Sequence, residues 1–95
     1  MTIWYKQGTH GELQFETAEA LRKIEKLYAS KARDVFVTAL RDGTHMPGSF
    51  HPWGRAFDIR KTSKVLKADI QRSLGGMFDV VEHPTHFHVE YDPGP

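Results

Sequence analysis

HFHVEY, His86 to Tyr91, is the stretch on which the fold turns. Successive side chains of a strand point to opposite faces of its sheet. Phe87, Val89 and Tyr91 therefore share one face, and His86, His88 and Glu90 share the other. This alternation predicts a half-buried strand with an apolar side for the core and a chemically loaded side. RAFDIR, Arg55 to Arg60, repeats the pattern: Phe57 and Ile59 fall on one face, Ala56, Asp58 and Arg60 on the other. In MFDVVE, Met77 to Glu82, residues Phe78, Val80 and Glu82 fall on the same side. A tight turn around Pro84 joins this segment to HFHVEY as an antiparallel hairpin. If Phe57, Ile59, Phe87 and Val89 are covered by helices, the open side of the sheet gathers Asp58, His86 and His88.

Further out, DVFVTAL (Asp34 to Leu40) reads as another strand, rich in β-branched and aromatic residues. RDGTHMPG (Arg41 to Gly48) is punctuated by Gly and Pro and reads as a loop. Thr17 to Ser30 predicts an amphipathic helix with Ala20, Leu21, Ile24, Leu27 and Tyr28 on one face. A second helix is expected from a Ser63 cap to Leu74, with Leu66, Ile70 and Leu74 inward and Gly75-Gly76 as its stop. Trp4 and Tyr5 are expected to pack against the core. The order helix, strand, strand, helix, strand, strand predicts an α+β fold: a small, mainly antiparallel sheet with two helices on one face.

Composition narrows the function. The chain has 95 residues, room for a single domain (1–95) with one modest core. It contains no Cys, which excludes a disulfide framework and thiolate zinc sites, so a metal must be held by His and carboxylates. A net charge of +1 argues against a protein built on phosphate neutralisation, and no nucleic-acid partner is expected. The Lys and Arg of residues 61–76 read as the solvated face of a helix. Residues 77–95 are acidic and hold His83, His86 and His88. No apolar run suits a signal peptide or a membrane span, so cytoplasmic synthesis without an export signal, and no membrane insertion, are expected.

His51 precedes Asp58 by seven residues, and Gly54 between them permits a sharp backbone turn. A loop entering the strand can fold His51 back towards Asp58. Zinc accepts imidazole nitrogen and carboxylate oxygen, and three protein ligands leave a fourth position for water. Spacing alone is weak support, because an isolated HxH is more often a pair of surface or core His than a metal site.

Two motifs add weight. SFHPWGRAFD (Ser49 to Asp58) resembles the SxHxxGxAxD signature of the zinc D-alanyl-D-alanine peptidases and the related hedgehog signalling domain. EHPTHFH (Glu82 to His88) resembles the second motif of that superfamily, an acid followed by HxH. The resemblance spans about residues 15 to 92 and implies the hedgehog/DD-peptidase fold. It implies Zn2+ held by His51, Asp58 and His88, with Glu82 as general base and His86 as a stabilising imidazole. Arg41 matches the substrate-binding Arg. Where some relatives place the base three residues before the last ligand, this chain has Thr85, which favours Glu82.

The implied activity is a zinc metallopeptidase that hydrolyses the stem peptide of peptidoglycan. It would act as a phage-type L-alanyl-D-glutamate endopeptidase or as a D-Ala-D-Ala carboxypeptidase, a monomer working on the cell wall after release. The alternative is a catalytically silent, zinc-stabilised binding module. His10, His45 and His83 read as ordinary surface, loop or turn residues, and Ser49 as a structural hydrogen-bonding group. Trp53 could line a groove or anchor its loop, and Glu90 reads as a solvated acid rather than a ligand.

Overall fold

The computed structural model describes residues 2–7, 13–40 and 55–92. In chain order its elements are β1 (Ile3–Tyr5), α1 (Phe15–Ala29), β2 (Val35–Leu40), β3 (Ala56–Arg60), α2 (Lys67–Leu74), β4 (Phe78–Glu82) and β5 (His86–Tyr91). They form a mixed five-stranded sheet in the order β1-β2-β3-β5-β4, with both helices packed on one face. The α+β class, the two helices and a mainly antiparallel sheet agree with the expectation: among the described residues, only the β1–β2 ladder is parallel.

Alternation along the strands builds the core. Val35 and Val37 of β2, Phe57 and Ile59 of β3, Phe78 and Val80 of β4, and Phe87 and Val89 of β5 meet the helices. Ala20, Leu21, Ile24 and Tyr28 of α1 and Ile70 and Leu74 of α2 close the layer from above. Fully burying one such aliphatic or aromatic side chain contributes roughly 1.5–3 kcal/mol, so this layer is the main source of stability. The Tyr28 hydroxyl donates to the Arg60 carbonyl at 3.1 Å and ties the end of α1 to the end of β3. Burial pushes the Tyr28 phenol up to about 12.

β2 and β3 do not pair evenly. Val37 stands opposite Ile59, but Ala39 stands opposite Asp58 and Leu40 opposite Phe57, so the register shifts between Val37 and Ala39.

The structure corrects three expectations. β1 is a strand the sequence reading lacked; its Trp4 and Tyr5 are 50% and 52% exposed instead of packed inward. β1 runs beside β2 because the Thr2 N–H donates to Asp34 Oδ1 at 2.9 Å and the Trp4 indole N–H to Asp34 Oδ2 at 3.1 Å. α2 begins at Lys67, not after Ser63. Val65 is buried in the core, and residues 63–65 deliver it there through a turn, with the Val65 N–H donating to the Thr62 carbonyl at 3.4 Å. Asp69, not Ser63, supplies the side-chain acceptor at that end, taking the Leu66 N–H at 3.0 Å. Leu66 is accordingly 64% exposed and no part of the inward face. At the other end of α2, Gly75 takes φ 88°, a left-handed conformation that glycine adopts without strain.

Candidate functional site

Asp58 lies in the middle of β3, the central strand, with His88 as its direct cross-strand neighbour on β5. Arg60 stands opposite His86 and Ala56 opposite Glu90 in the same ladder. Antiparallel partners project to the same face, so Asp58, Arg60, His86, His88 and Glu90 share the side away from the helices. The register that buries Phe57, Ile59, Phe87 and Val89 is thus the register that assembles these polar groups.

Asp58 is only 4% exposed. A buried carboxylate is costly unless paired. Here His88 Nδ1 is 2.7 Å from Oδ1, and His86 Nε2 is 3.8 Å from Oδ2. On its other side, His88 Nε2 is 3.3 Å from Glu90 Oε1. Burial by itself pulls the His88 imidazole down, but its hydrogen bonds to Asp58 and Glu90 and their charges outweigh it and hold it above the ordinary value. His86 Nδ1 lies 3.2 Å from the Thr85 hydroxyl, leaving Nε2 turned to Asp58. The His83 ring stacks on His86, with centroids 4.5 Å apart.

The structure therefore brings Asp58, His86 and His88 together. It does not bring Glu82 to them. Glu82 ends β4 opposite Phe87, on the core side of the ladder, whereas Val81 is the β4 residue opposite His88. Its carboxylate lies 2.7 Å from Lys61 Nζ and is about half exposed. His51 and Arg41 lie outside the described residues, as do His10, His45, Ser49 and Trp53. Glu90 is a correction: it is mostly shielded and contacts His88 instead of being a solvated acid. The alternation of HFHVEY already places it two residues beyond His88 on the imidazole face, which was the signal for it.

One carboxylate and two imidazoles are the oxygen and nitrogen donors that zinc accepts. Here the donors are satisfied by one another: His88 holds Asp58 through Nδ1 at 2.7 Å and Glu90 through Nε2 at 3.3 Å, with His86 Nε2 3.8 Å from Asp58. Among the described residues, no group of three or more His, Cys, Asp or Glu is arranged to hold a metal. Also among them, no helix is long and apolar enough to cross a membrane.

Compared with models of protein families, with curated proteins and with solved structures, the chain finds no match in any of the three.

Proposed function

We propose that this protein is a zinc-dependent peptidase of the hedgehog/DD-peptidase type that hydrolyses the stem peptide of peptidoglycan. The observation that carries the reading is the buried Asp58 carboxylate set 2.7 Å from His88 and 3.8 Å from His86, on the face of the sheet away from the helices. Asp58 and His88, with His51, would hold the ion. When bound there, zinc supplies a water acidic enough to act near neutral pH and polarises a carbonyl. Glu82, by resemblance, takes the proton from water and returns it to the departing amine. That role rests on the resemblance alone: Glu82 stands opposite Phe87 on the core side of the ladder, paired with Lys61 and away from Asp58 and His88. His86 presents an imidazole N–H to the oxygen that gains charge, and the Thr85 hydroxyl fixes the ring for that task. Arg41 binds a substrate carboxylate.

The test is direct. Zinc-loaded protein is incubated with purified peptidoglycan, and new amine ends are counted beside Asp58→Ala and His88→Ala. New ends from wild type alone support the peptidase; none from any of the three rejects it. The seating of Glu82 on Lys61 favours a second reading, a silent zinc-stabilised binding module. That module would bind one zinc per chain through Asp58 and His88 and release no amine.

A further inference from the structure

Arg60 stands two residues along β3 from Asp58, on the same face, and opposite His86. Its guanidinium lies 4.7 Å over the Phe36 ring, and Phe36 stacks in turn on Trp4 with centroids 6.4 Å apart. Stacking engages the flat face of a guanidinium and leaves its in-plane N–H donors for an acceptor. Phe36 and Arg60 line a cleft of about 440 Å³ together with Arg33, Asp34 and Lys61. Of those charges one is hydrogen-bonded to neutral donors and one is ion-paired. Asp34 accepts from the Thr2 and Trp4 N–H groups, and Lys61 pairs with Glu82. Among the described residues, neither Arg33 nor Arg60 has a carboxylate within 4.0 Å. Among the described residues the cleft thus holds two guanidinium groups without a carboxylate partner, beside the still charged Asp34. Arg60, braced by aromatic rings, lies on the strand face of Asp58, opposite His86, although none of Asp58, His86 and His88 lines the cleft.

We propose that this cleft is a carboxylate subsite of the substrate groove. Arg60, braced by Phe36 and Trp4, takes a free carboxylate of the peptide bound over Asp58, and Arg33 adds a second positive charge. The inference rests on the peptidase reading for its substrate. Two strand residues span roughly 6.6 Å, so an extended peptide at Asp58 offers Arg60 a carboxylate one or two residues from the bond cut. Stem peptides carry such carboxylates, and a planar fork is suited to bind them bidentately.

The experiment uses the full, isotope-labelled chain and two synthetic peptides: L-alanyl-γ-D-glutamyl-L-lysyl-D-alanine with free carboxylates, and its fully amidated form. Binding is followed by NMR titration of wild type, Arg60→Gln and Arg60→Lys. The acid peptide is expected to shift the backbone amides of Phe36 and Arg60. Arg60→Gln should weaken that binding about tenfold or more, the loss of one charge-assisted pair. Arg60→Lys should recover part of it, keeping charge without the fork. The amidated peptide should bind weakly and alike to all three. Equal affinity of wild type and Arg60→Gln for the acid peptide overturns the proposal, as does equal affinity of wild type for both peptides. Cleavage assays separate the two ideas. Cleavage with KM unchanged in Arg60→Gln removes the subsite and leaves the peptidase. Acid-selective binding through Arg60, without cleavage or bound zinc, removes the peptidase and leaves the cleft as a carboxylate binder.

Discussion

Replacing Asp58 by Asn keeps the shape of the side chain and removes its charge. In the metal-free protein this weakens one short contact to His88, at 2.7 Å, and a longer one to His86, at 3.8 Å. Hydrogen bonds to charged groups contribute roughly 1.5–3 kcal/mol, and Asp58 and His88 are shielded enough for that range to apply. In a domain of this size each kcal/mol moves Tm by about 4–8 °C, so Asp58→Asn should melt on the order of 10 °C lower without metal. Zinc separates this structural contribution from a metal site. A ligand at a thousand times its Kd stabilises the folded state by about 4 kcal/mol, so zinc should raise the wild-type Tm by well over 10 °C. Asn binds zinc poorly, and the variant should lose most of that rise. Four melts, two proteins with and without zinc, are sufficient. If zinc raises both proteins equally, or neither, Asp58 is not a ligand and its pairing with His88 is purely structural.

Glu82→Gln should keep zinc and change stability by less than about 1 kcal/mol, since only a surface ion pair with Lys61 is lost, yet it should abolish release of amine ends. Activity retained in Glu82→Gln but lost in Glu90→Gln would give the proton transfer to Glu90, the acid that the structure sets 3.3 Å from His88. Tyr28→Phe removes the 3.1 Å bond to the Arg60 carbonyl and should cost about 1 kcal/mol, read as a Tm lower by about 4–8 °C; an unchanged Tm would deny that bond a stabilising part. The Thr2 N–H first, and the Trp4 indole second, hold the Asp34 carboxyl below the usual carboxylate range. A depressed carboxyl stabilises the fold above its unfolded pKa, and that contribution is lost as pH falls through the folded value. The anchor of β1 should therefore hold at neutral pH and release in acid. The Trp4 indole N–H resonance should follow that titration in wild type and not in Asp34→Asn; a resonance flat through the acid range would contradict the anchor.

What was legible in the sequence follows from how much each face buries. Phe57, Ile59, Phe87 and Val89 are fully buried, so alternation in HFHVEY and RAFDIR was enough to predict both strands and to put Asp58, His86 and His88 on one side. The register that sets Asp58 opposite His88, and the burial of β3 on both faces, depend on pairing that alternation does not carry. β1 could not be read this way: it is three residues long and mostly exposed, and a side chain on another element, Asp34, holds it in place. The start of α2 was misjudged because Ser63 is a good cap in isolation, while residues 63–65 turn to bury Val65 before the helix begins at Lys67. Glu82 shows the limit of motif reading. Its spacing to His88 suits a base, but its place in the hairpin depends on which residue faces Phe87, a matter of pairing.

The uneven pairing of β2 with β3 acts as a phase change along one strand. Val35 and Val37 point inward, and a regular continuation would send residue 39 inward as well. The shift instead sets Ala39 beside Asp58 and turns Leu40 towards the helices. What flanks the carboxylate is therefore decided by one residue of slack around Thr38. Were the pairing even, Thr38 would stand opposite Asp58 and Ala39 opposite Phe57, so this slack sets a methyl instead of a hydroxyl beside the carboxylate and gives the core Leu40 in place of Ala39.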